Sequence, residues 1–219
     1  MADQLSFNWP AGVALGPEDF FVSQANAQAF AMVTAPDTWP DGKLVLTGLT
    51  GAGKSHLAGI HQSAQNAECL QAADIPPDFQ SDTTAIVIED MELLPRKSEE
   101  AVFHLHNNLR ARGGTLLMTA QVPPARWRIA LPDLASRMQA TAVVNIAGPD
   151  DALLGALIMK LFADRQISPA PALVKYLASR IERSYAAAAQ IVDRLDAAAL
   201  AQQRKINTSL ARDILDKPD

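Results

Sequence analysis

The chain has 219 residues, of which 48% are hydrophobic and 20% are charged, and its formal net charge is −5. This length suits one α/β domain with a small helical appendix, and the apolar content excludes wholesale disorder. The acidic balance, without a basic tail or a Lys/Arg-rich helix, argues against strong direct binding to duplex DNA.

Cysteine content and hydropathy indicate the cellular location of the protein. Cys69 is the only cysteine, so neither a disulfide framework nor a cysteine zinc site can form, and a reducing cytoplasm is the expected location. The N-terminus lacks a basic, apolar leader pattern, and no later run is apolar enough to span a bilayer. We therefore expect no membrane partner.

Residues 1–22 are expected to be irregular, because prolines and glycines interrupt any periodicity. Within them, Gln4-Leu5-Ser6-Phe7 places two apolar side chains on one short peptide. Taken alone, this peptide is better interpreted as an ordinary tail. Ser23 is then expected to cap a helix that ends near Val33.

The most informative stretch is Gly48-Leu49-Thr50-Gly51-Ala52-Gly53-Lys54-Ser55, which fits the phosphate-binding pattern G-x-x-x-x-G-K-[ST]. An apolar run leads into it and a helix-compatible run leaves it, as the motif requires. Glycines let backbone N–H groups surround a phosphate, to which the helix N-terminus adds its positive end. Lys54 is expected to reach the outer phosphates of ATP or ADP, and Ser55 to ligate Mg²⁺.

Two acids follow the apolar run Ala85-Ile86-Val87-Ile88, namely Glu89 and Asp90. Acids at the carboxyl end of a buried parallel strand lie where open α/β sheets bind ligands. One acid is expected to complete Mg²⁺ coordination, and the other to orient or deprotonate an attacking water. The alternative is a strand that ends in a solvated turn.

The next helix is expected to begin at Ser98 and to end at Gly113-Gly114, with His104 and His106 on different faces, unsuited to a shared metal. Thr115–Thr119 is predicted to be another buried strand. Gln121 follows it, placed either to touch a γ-phosphate or attacking water, or merely to cap a turn. Short strands are also predicted at residues 68–71 and 141–146, so the chain is predicted to form a parallel, doubly wound sheet.

From Gly148 the sequence becomes wholly helical. Helices are expected to begin at Gly148-Pro149-Asp150-Asp151, at Ser168-Pro169, at Ser184 and after Asn207. We therefore divide the chain into an N-terminal segment, an α/β domain and a small helical lid, with these ranges: 1–22, 23–147 and 148–219.

These parts together resemble an AAA+ P-loop ATPase of the DnaA subgroup, and in detail the Hda-type regulators. The similarity covers nearly the whole chain and includes the helix at residues 99–109, the strand and double-proline turn at 116–124, and residues 202–206. Its most specific stretch is Leu131-Pro132-Asp133-Leu134-Ala135-Ser136-Arg137.

The resemblance implies roles for particular residues. Arg137 falls on the arginine finger that reaches the γ-phosphate of a neighbouring subunit, whereas taken alone it would be a surface arginine pairing with Asp133. Phe20, Phe21, Val22 and Asn26 resemble the segment that holds adenine. Thr50, Gly51, Ala52, Gly53 and His56 complete the expected nucleotide contacts.

The resemblance also changes the interpretation of the N-terminal peptide. Hda-type proteins begin with a short motif that binds the DNA polymerase sliding clamp, and Gln4-Leu5-Ser6-Phe7 is similar to it. Gln4 would hydrogen-bond in the clamp's pocket, while Leu5 and Phe7 would fill its apolar part. The partners implied are DnaA and the clamp, and self-association of the chain stays open.

The sequence departs from the family in three places. Glu89 stands where the family more often has Asp, so metal geometry is expected to differ and hydrolysis to be weak. Ala186 stands where a lid arginine is expected, with Arg183 nearby but out of register. The segment between Gln71 and Ala85 is short enough to lack one helix of the usual fold.

The expected function is therefore a regulator of replication initiation that holds ADP or ATP and stimulates hydrolysis of DnaA-bound ATP. Two alternatives stay open. One is a stand-alone P-loop ATPase or small-molecule kinase, and the other is a non-catalytic adaptor tethered to the clamp.

Overall fold

A computed structural model describes residues 20–216. Five strands form one parallel sheet in the order β2-β3-β4-β1-β5. The strands are β1 (Lys43–Thr47), β2 (Glu68–Gln71), β3 (Ala85–Glu89), β4 (Thr115–Ala120) and β5 (Ala142–Asn145). All five predicted strands are thus confirmed, as is the α/β class.

Eight α-helices lie within the described residues. They are α1 (Ala27–Val33), α2 (Lys54–Gln65), α3 (Glu99–Ala111), α4 (Pro132–Ala140), α5 (Asp151–Ala163), α6 (Pro171–Ala178), α7 (Tyr185–Gln202) and α8 (Thr208–Leu215). None of the helices within residues 20–216 is long and apolar enough to cross a membrane.

Alternate side chains of the buried strands divide the α/β core into two layers, one on each side of the sheet. Val45, Ile86 and Met118 pack on one side against α3 and α4. Leu44, Val87 and Leu117 pack on the other side against α1 and α2. The sheet is therefore covered on both faces, as expected for a doubly wound fold.

Helices α5 to α8 enclose a third core of their own. Its largest members include Phe162, Ile158, Leu177 and Leu195, all of them buried. Helices α5, α7 and α8 begin close to the positions predicted from the sequence. Their starts are capped by side-chain oxygens that accept the N–H of the third residue beyond them; the capping residues are Asp150, Ser184 and Asn207.

Three predicted helix starts are wrong in detail. Helix α1 begins at Ala27, where Asn26 rather than Ser23 is the flanking residue. Ser98 precedes α3, but its hydroxyl donates to the carbonyl oxygen of Ile75 and caps nothing. Helix α6 begins at Pro171, two residues after Pro169, with extended backbone at Ala170.

The short connection between β2 and β3 is confirmed to lack a helix. Residues 72–84, all of them described, contain a single 3-10 turn, Ala72–Asp74. Ile75 nevertheless lies in the α3-side core, so this connection still covers part of the sheet.

Candidate functional site: the phosphate loop and the opposite edge of the sheet

Residues 48–53 leave the carboxyl end of β1 and turn directly into α2. Gly51 and Gly53 have φ angles of 77° and 91°, which favour glycine, and they let the loop fold tightly around the helix N-terminus. Thr50 and Gly51 are exposed, whereas Ala52 is buried in the core on the α2 side. The loop thus presents backbone N–H groups and the positive end of a 12-residue helix to an anion.

Lys54 crosses this loop from the first residue of α2. Its Nζ donates to the carbonyl oxygens of Gly48 and Leu49, at 2.9 and 3.2 Å, and the residue is only 8% exposed. The ammonium group is therefore already held against the loop. Ser55, the next residue, is exposed in the first turn of the same helix.

The acids Glu89 and Asp90 end β3 at the same edge of the sheet as the loop. Glu89 accepts a hydrogen bond from Gln71 Nε2 at 2.9 Å, across the β2–β3 pairing. Asp90 has left-handed backbone (φ 54°, ψ 51°), and its N–H donates to Thr119 Oγ1 at 3.2 Å. Left-handed conformation is uncommon for a residue other than glycine, and it is fixed here by the neighbouring strand.

The donor set at this edge fits Mg²⁺ in its chemistry, since hydroxyl and carboxylate oxygens are hard ligands. Among residues 20–216, no three His, Cys, Asp or Glu side chains gather into a group that could hold a metal ion by themselves. Such donors suit an ion that keeps waters and takes its remaining ligands from a nucleotide phosphate, and Ser55 and Glu89 are the candidate protein ligands.

Gln121 lies just beyond β4, with an exposed side chain. Its backbone N–H donates to Glu92 Oε1 at 2.7 Å, so an acid that follows β3 fixes the residue that follows β4. The other carboxylate oxygen of Glu92 is buried without a hydrogen-bond partner within the described residues. Sequence analysis missed Glu92, because no local pattern ties it to a strand 23 to 28 residues further on.

The segment expected to hold adenine lies beside the phosphate loop. A ring carbon of Phe20 lies 3.3 Å from the position that a Cβ on Gly53 would occupy. The same ring stacks on Phe30 with centroids 5.8 Å apart and meets His56 edge-on at 5.2 Å. Aromatic side chains thus form an apolar wall at the start of α2.

The other members of this segment have different environments. Phe21 and Val22 are 37% and 44% exposed. Asn26 is buried; its Nδ2 donates to the Phe21 carbonyl at 2.9 Å, and its Oδ1 accepts the Ser23 N–H at 2.8 Å. Asn26 therefore shapes the backbone that presents Phe21 and Val22.

The lid contacts the phosphate loop through Tyr185, the first residue of α7. A Cβ on Gly51 would lie 2.8 Å from the Cβ of Tyr185, whose ring packs against the α2-side core. Burial, with a further contribution from Asp150, raises the pKa of the Tyr185 phenol to about 12, so the hydroxyl stays protonated at neutral pH. Sequence analysis missed Tyr185, although it directly precedes Ala186.

The departure at the expected lid arginine is also clear in the structure. Ala186 is exposed in the first turn of α7. Arg183 forms an ion pair with Asp151 of α5 at 2.9 Å, and both side chains are about two-thirds exposed (66% and 69%). Within the described part of the lid, residues 148–216, the first turn of α7 contains no arginine.

Arg137 lies on α4, which leads into β5. Its carbonyl oxygen accepts from Thr141 Oγ1 at 2.9 Å, and the first residue of β5, Ala142, pairs with Leu44 beside the start of β1. Arg137 is thus near the amino edge of the sheet, whereas the phosphate loop leaves the carboxyl edge. The length of β1 alone separates these edges by roughly 13 Å. Within residues 20–216, no ion pair joins Arg137 to Asp133.

Glu99, the first residue of α3, fixes the start of the helix that carries Arg137. It is 3% exposed, and its carboxylate accepts the N–H groups of Ala130 (2.9 and 3.0 Å) and Leu131 (2.6 Å). A local sequence pattern relates this acid only to the dipole of its own helix. Its main partners instead lie 31 and 32 residues further along the chain, beyond the reach of a local pattern.

The remaining predicted site residues, Gln4, Leu5 and Phe7, lie outside the described residues. Of the two histidines of α3, His104 is exposed and His106 is buried, which agrees with their expected separate faces.

Comparison with known proteins gives one family match and a set of structural neighbours. The family "Hda, lid domain" matches residues 155–215. Domain III of the replication initiation protein DnaA from Thermotoga maritima is similar with a TM-score of 0.71 and 16% identity, over 91% of this chain and 94% of that one.

Two further structures extend the comparison. AMPPCP-bound DnaA from Aquifex aeolicus has a TM-score of 0.68 and 15% identity, over 83% of this chain and 64% of that one. The RuvB Holliday junction branch migration motor from Thermotoga maritima has a TM-score of 0.67 and 15% identity, over 93% and 72%. At these identities the likeness shows the fold, and the family match applies to residues 155–215 alone. The chain therefore has the fold seen in domain III of DnaA and in RuvB, and its residues 155–215 match the Hda lid domain.

Proposed function

We propose that this protein regulates the initiation of chromosome replication by stimulating hydrolysis of the ATP bound to DnaA. One observation carries the proposal: an Hda-type lid is joined to a DnaA-like AAA+ fold in which Arg137 lies on the edge opposite the phosphate loop. An arginine in that position is remote from its own chain's nucleotide and suited to another molecule's.

The protein's own nucleotide, ADP or ATP, would be held by residues 50–56, with Phe20, Phe21 and Val22 at the adenine. Mg²⁺ would be held by Ser55 and Glu89, where it would neutralise phosphate charge. Asp90 would orient or deprotonate a water, with Gln121 beside it. The missing lid arginine and the longer acid at position 89 support a weak ATPase, so the nucleotide serves mainly to hold lid and sheet together.

The step that matters would occur on the partner. A sliding clamp on DNA would bind Gln4, Leu5 and Phe7 and so concentrate the protein near DnaA. Arg137 would then donate hydrogen bonds to the γ-phosphate of DnaA-bound ATP and stabilise the charge that develops during transfer to water. An arginine finger supplied in trans raises hydrolysis by about 10³-fold or more.

The test is conversion of DnaA-bound radiolabelled ATP to ADP in the presence of DNA-loaded clamp. Arg137→Ala should abolish the stimulation while clamp binding is retained. Arg126→Ala removes the same charge from an exposed turn and is the matched control. Full stimulation by the Arg137 variant would overturn the proposed role. Rapid phosphate release by the purified protein alone would instead favour an independent ATPase.

A further inference from the structure

Arg137 belongs to a group of cations at the amino edge of the sheet. Lys43 begins β1 there, and its Nζ donates to the carbonyl oxygen of Asp41 at 2.9 Å. The carboxylate of Asp41 forms an ion pair with Arg110, whose Nε lies 3.5 Å away in the last turn of α3. We call Lys43, Arg110 and Arg137 the amino-edge basic cluster.

The charges of this cluster are incompletely balanced. Lys43 is 2% exposed and has one hydrogen-bond acceptor, a backbone carbonyl. Asp41 is the one carboxylate that pairs with the cluster within residues 20–216, and it pairs with Arg110 alone. Three cations therefore face one acid, in a protein whose overall formal charge is −5.

The buried histidine of α3, His106, lies close enough to the cluster to be affected by its positive charges. His106 lies one helical turn before Arg110, is 4% exposed, and has an Nδ1 atom without a partner among the described residues. Its pKa is lowered to about 4, chiefly by burial and also by the positive charges of Lys43, Arg137 and Arg110, while a hydrogen bond with Asn107 acts in the opposite direction. Burial likewise lowers the pKa of Lys43; the Asp41 carboxylate opposes this change, and Arg110 and Arg137 add smaller contributions that lower the pKa further. Lys43, Arg110 and Arg137 are thus close enough for their charges to act on the same neighbours.

We propose that Arg110 is a second cation of the surface that Arg137 uses, and that it attracts the triphosphate-carrying face of the partner. This rests on the function proposed above. Arg110 and Asp41 are 50% and 58% exposed, so their ion pair is weak and the guanidinium can exchange Asp41 for an incoming phosphate or carboxylate. A patch of one sign on a low-dielectric surface raises the rate of encounter with an opposite charge.

The occupant follows from charge complementarity. A nucleoside triphosphate at the edge of an AAA+ partner carries concentrated negative charge. In the proposed function this triphosphate lies next to Arg137, at the amino edge of the sheet. Arg110 contributes to binding, whereas Arg137 contributes to the chemical step. Their removal therefore has different kinetic consequences.

The experiment measures DnaA-bound ATP hydrolysis against the concentration of this protein, with DNA-loaded clamp in excess. Arg110→Ala should raise the half-maximal concentration roughly threefold to fivefold, the worth of one exposed charge pair, and leave the maximal rate unchanged. Arg112→Ala is the matched control, because Arg112 follows two residues later and lies beside Asp82 instead. Added potassium chloride should shrink the difference between the two variants.

A variant of the opposing acid separates attraction from structural support. Asp41→Asn keeps the left-handed backbone at this position (φ 53°), which asparagine tolerates, and removes the negative charge. It should lower the half-maximal concentration, the reverse of Arg110→Ala. If both variants raise it, the pair is merely structural and the proposal is wrong.

The outcomes distinguish this inference from the proposed function. If Arg137→Ala abolishes stimulation but Arg110→Ala behaves like Arg112→Ala, the role of Arg110 is refuted and the proposed function stands. If Arg137→Ala retains full stimulation, the proposed function is refuted, and the inference with it.

Discussion

Tyr185 of the lid lies against Gly51 of the phosphate loop so closely that a Cβ on the glycine would be 2.8 Å from the Cβ of the tyrosine. Real Cβ contacts essentially never come this close, so any side chain at position 51 must displace the lid or the loop. The lid and the nucleotide site are thereby mechanically connected.

The first prediction concerns that contact. Gly51→Ala should weaken ADP binding and lower stability, because alanine is strained at φ 77° by about 1–2 kcal/mol and also meets Tyr185. Gly113→Ala is the control, since Gly113 has φ 66° but nothing within 4 Å of an added Cβ. Binding of a fluorescent ADP analogue and urea unfolding measure the two effects. If both variants lose the same free energy of unfolding, the contact with Tyr185 contributes nothing to stability.

A second prediction tests the connection from Glu99 to the helix of Arg137. Glu99→Ala should lower the free energy of unfolding by about 1–3 kcal/mol, because the N–H groups of Ala130 and Leu131 lose their charged acceptor. Stimulation of DnaA-bound ATP hydrolysis should fall even well below the melting temperature, since α4 loses its anchor. Glu99→Gln, which keeps one acceptor oxygen, should recover part of both quantities. Stimulation that follows only the folded fraction would contradict a positioning role.

A third prediction adds the arginine that the lid lacks. Ala186→Arg should tighten binding of ATP relative to ADP by about tenfold, the worth of one charge-assisted hydrogen bond to a γ-phosphate. The position tolerates a long side chain because it is exposed, and it follows the residue that touches Gly51. Competition binding with both nucleotides measures the ratio, and Gln190→Arg, one turn further along α7 and also exposed, is the control. An unchanged ratio would show that the lid's first turn lies out of reach of the γ-phosphate.

A fourth prediction concerns the metal. Glu89→Gln should reduce the gain in nucleotide affinity that Mg²⁺ gives over EDTA, because a neutral amide is a poorer ligand than a carboxylate. Nucleotide affinity in EDTA should be unchanged. Glu100→Gln, on the exposed face of α3, supplies the charge-matched control. A full Mg²⁺ effect in the Glu89 variant would remove this residue from the metal site.

A fifth prediction follows from the buried histidine. Folded His106 stays neutral down to a pKa of about 4, whereas an unfolded histidine takes up a proton near its ordinary value of 6.5. The unfolded state therefore binds more protons between these values, and stability should fall as the pH drops from 6.5 towards 4. His106→Phe should show a shallower fall in urea unfolding. Burial also lowers the pKa of His61, so His61 makes stability depend on pH in the same direction in the unmodified protein and in His106→Phe. Only the difference between the pH dependences of the two proteins therefore tests His106.

The features that sequence predicted well are those with local causes. The five strands follow from short apolar runs, and the phosphate loop from its glycines and Lys54. The helix starts at Asp150, Ser184 and Asn207 follow from side chains that reach the third residue beyond them. Each depends on contacts within a few residues, which a pattern can encode.

The features that sequence analysis missed depend on partners far along the chain. Ser98 fits the cap pattern, but its hydroxyl has a better acceptor in Ile75, 23 residues away. Glu99 and Glu92 fix segments that lie about 30 residues later. Tyr185 contacts a loop more than a hundred residues before it. Only the packing of the sheet and the lid brings such residues together.

Arg137 and the phosphate loop lie at opposite edges of the sheet, so the two ends of the molecule are different. In the proposed function, one edge of the sheet would bind a nucleotide and the opposite edge would act on a nucleotide held by another molecule. The Arg137 edge of one molecule would have to face the phosphate-loop edge of the other. A productive contact with a related AAA+ protein would therefore be head to tail rather than two-fold symmetric. In any such pair only one of the two nucleotides would face the other molecule's arginine, so the proposed stimulation of hydrolysis would act in one direction only.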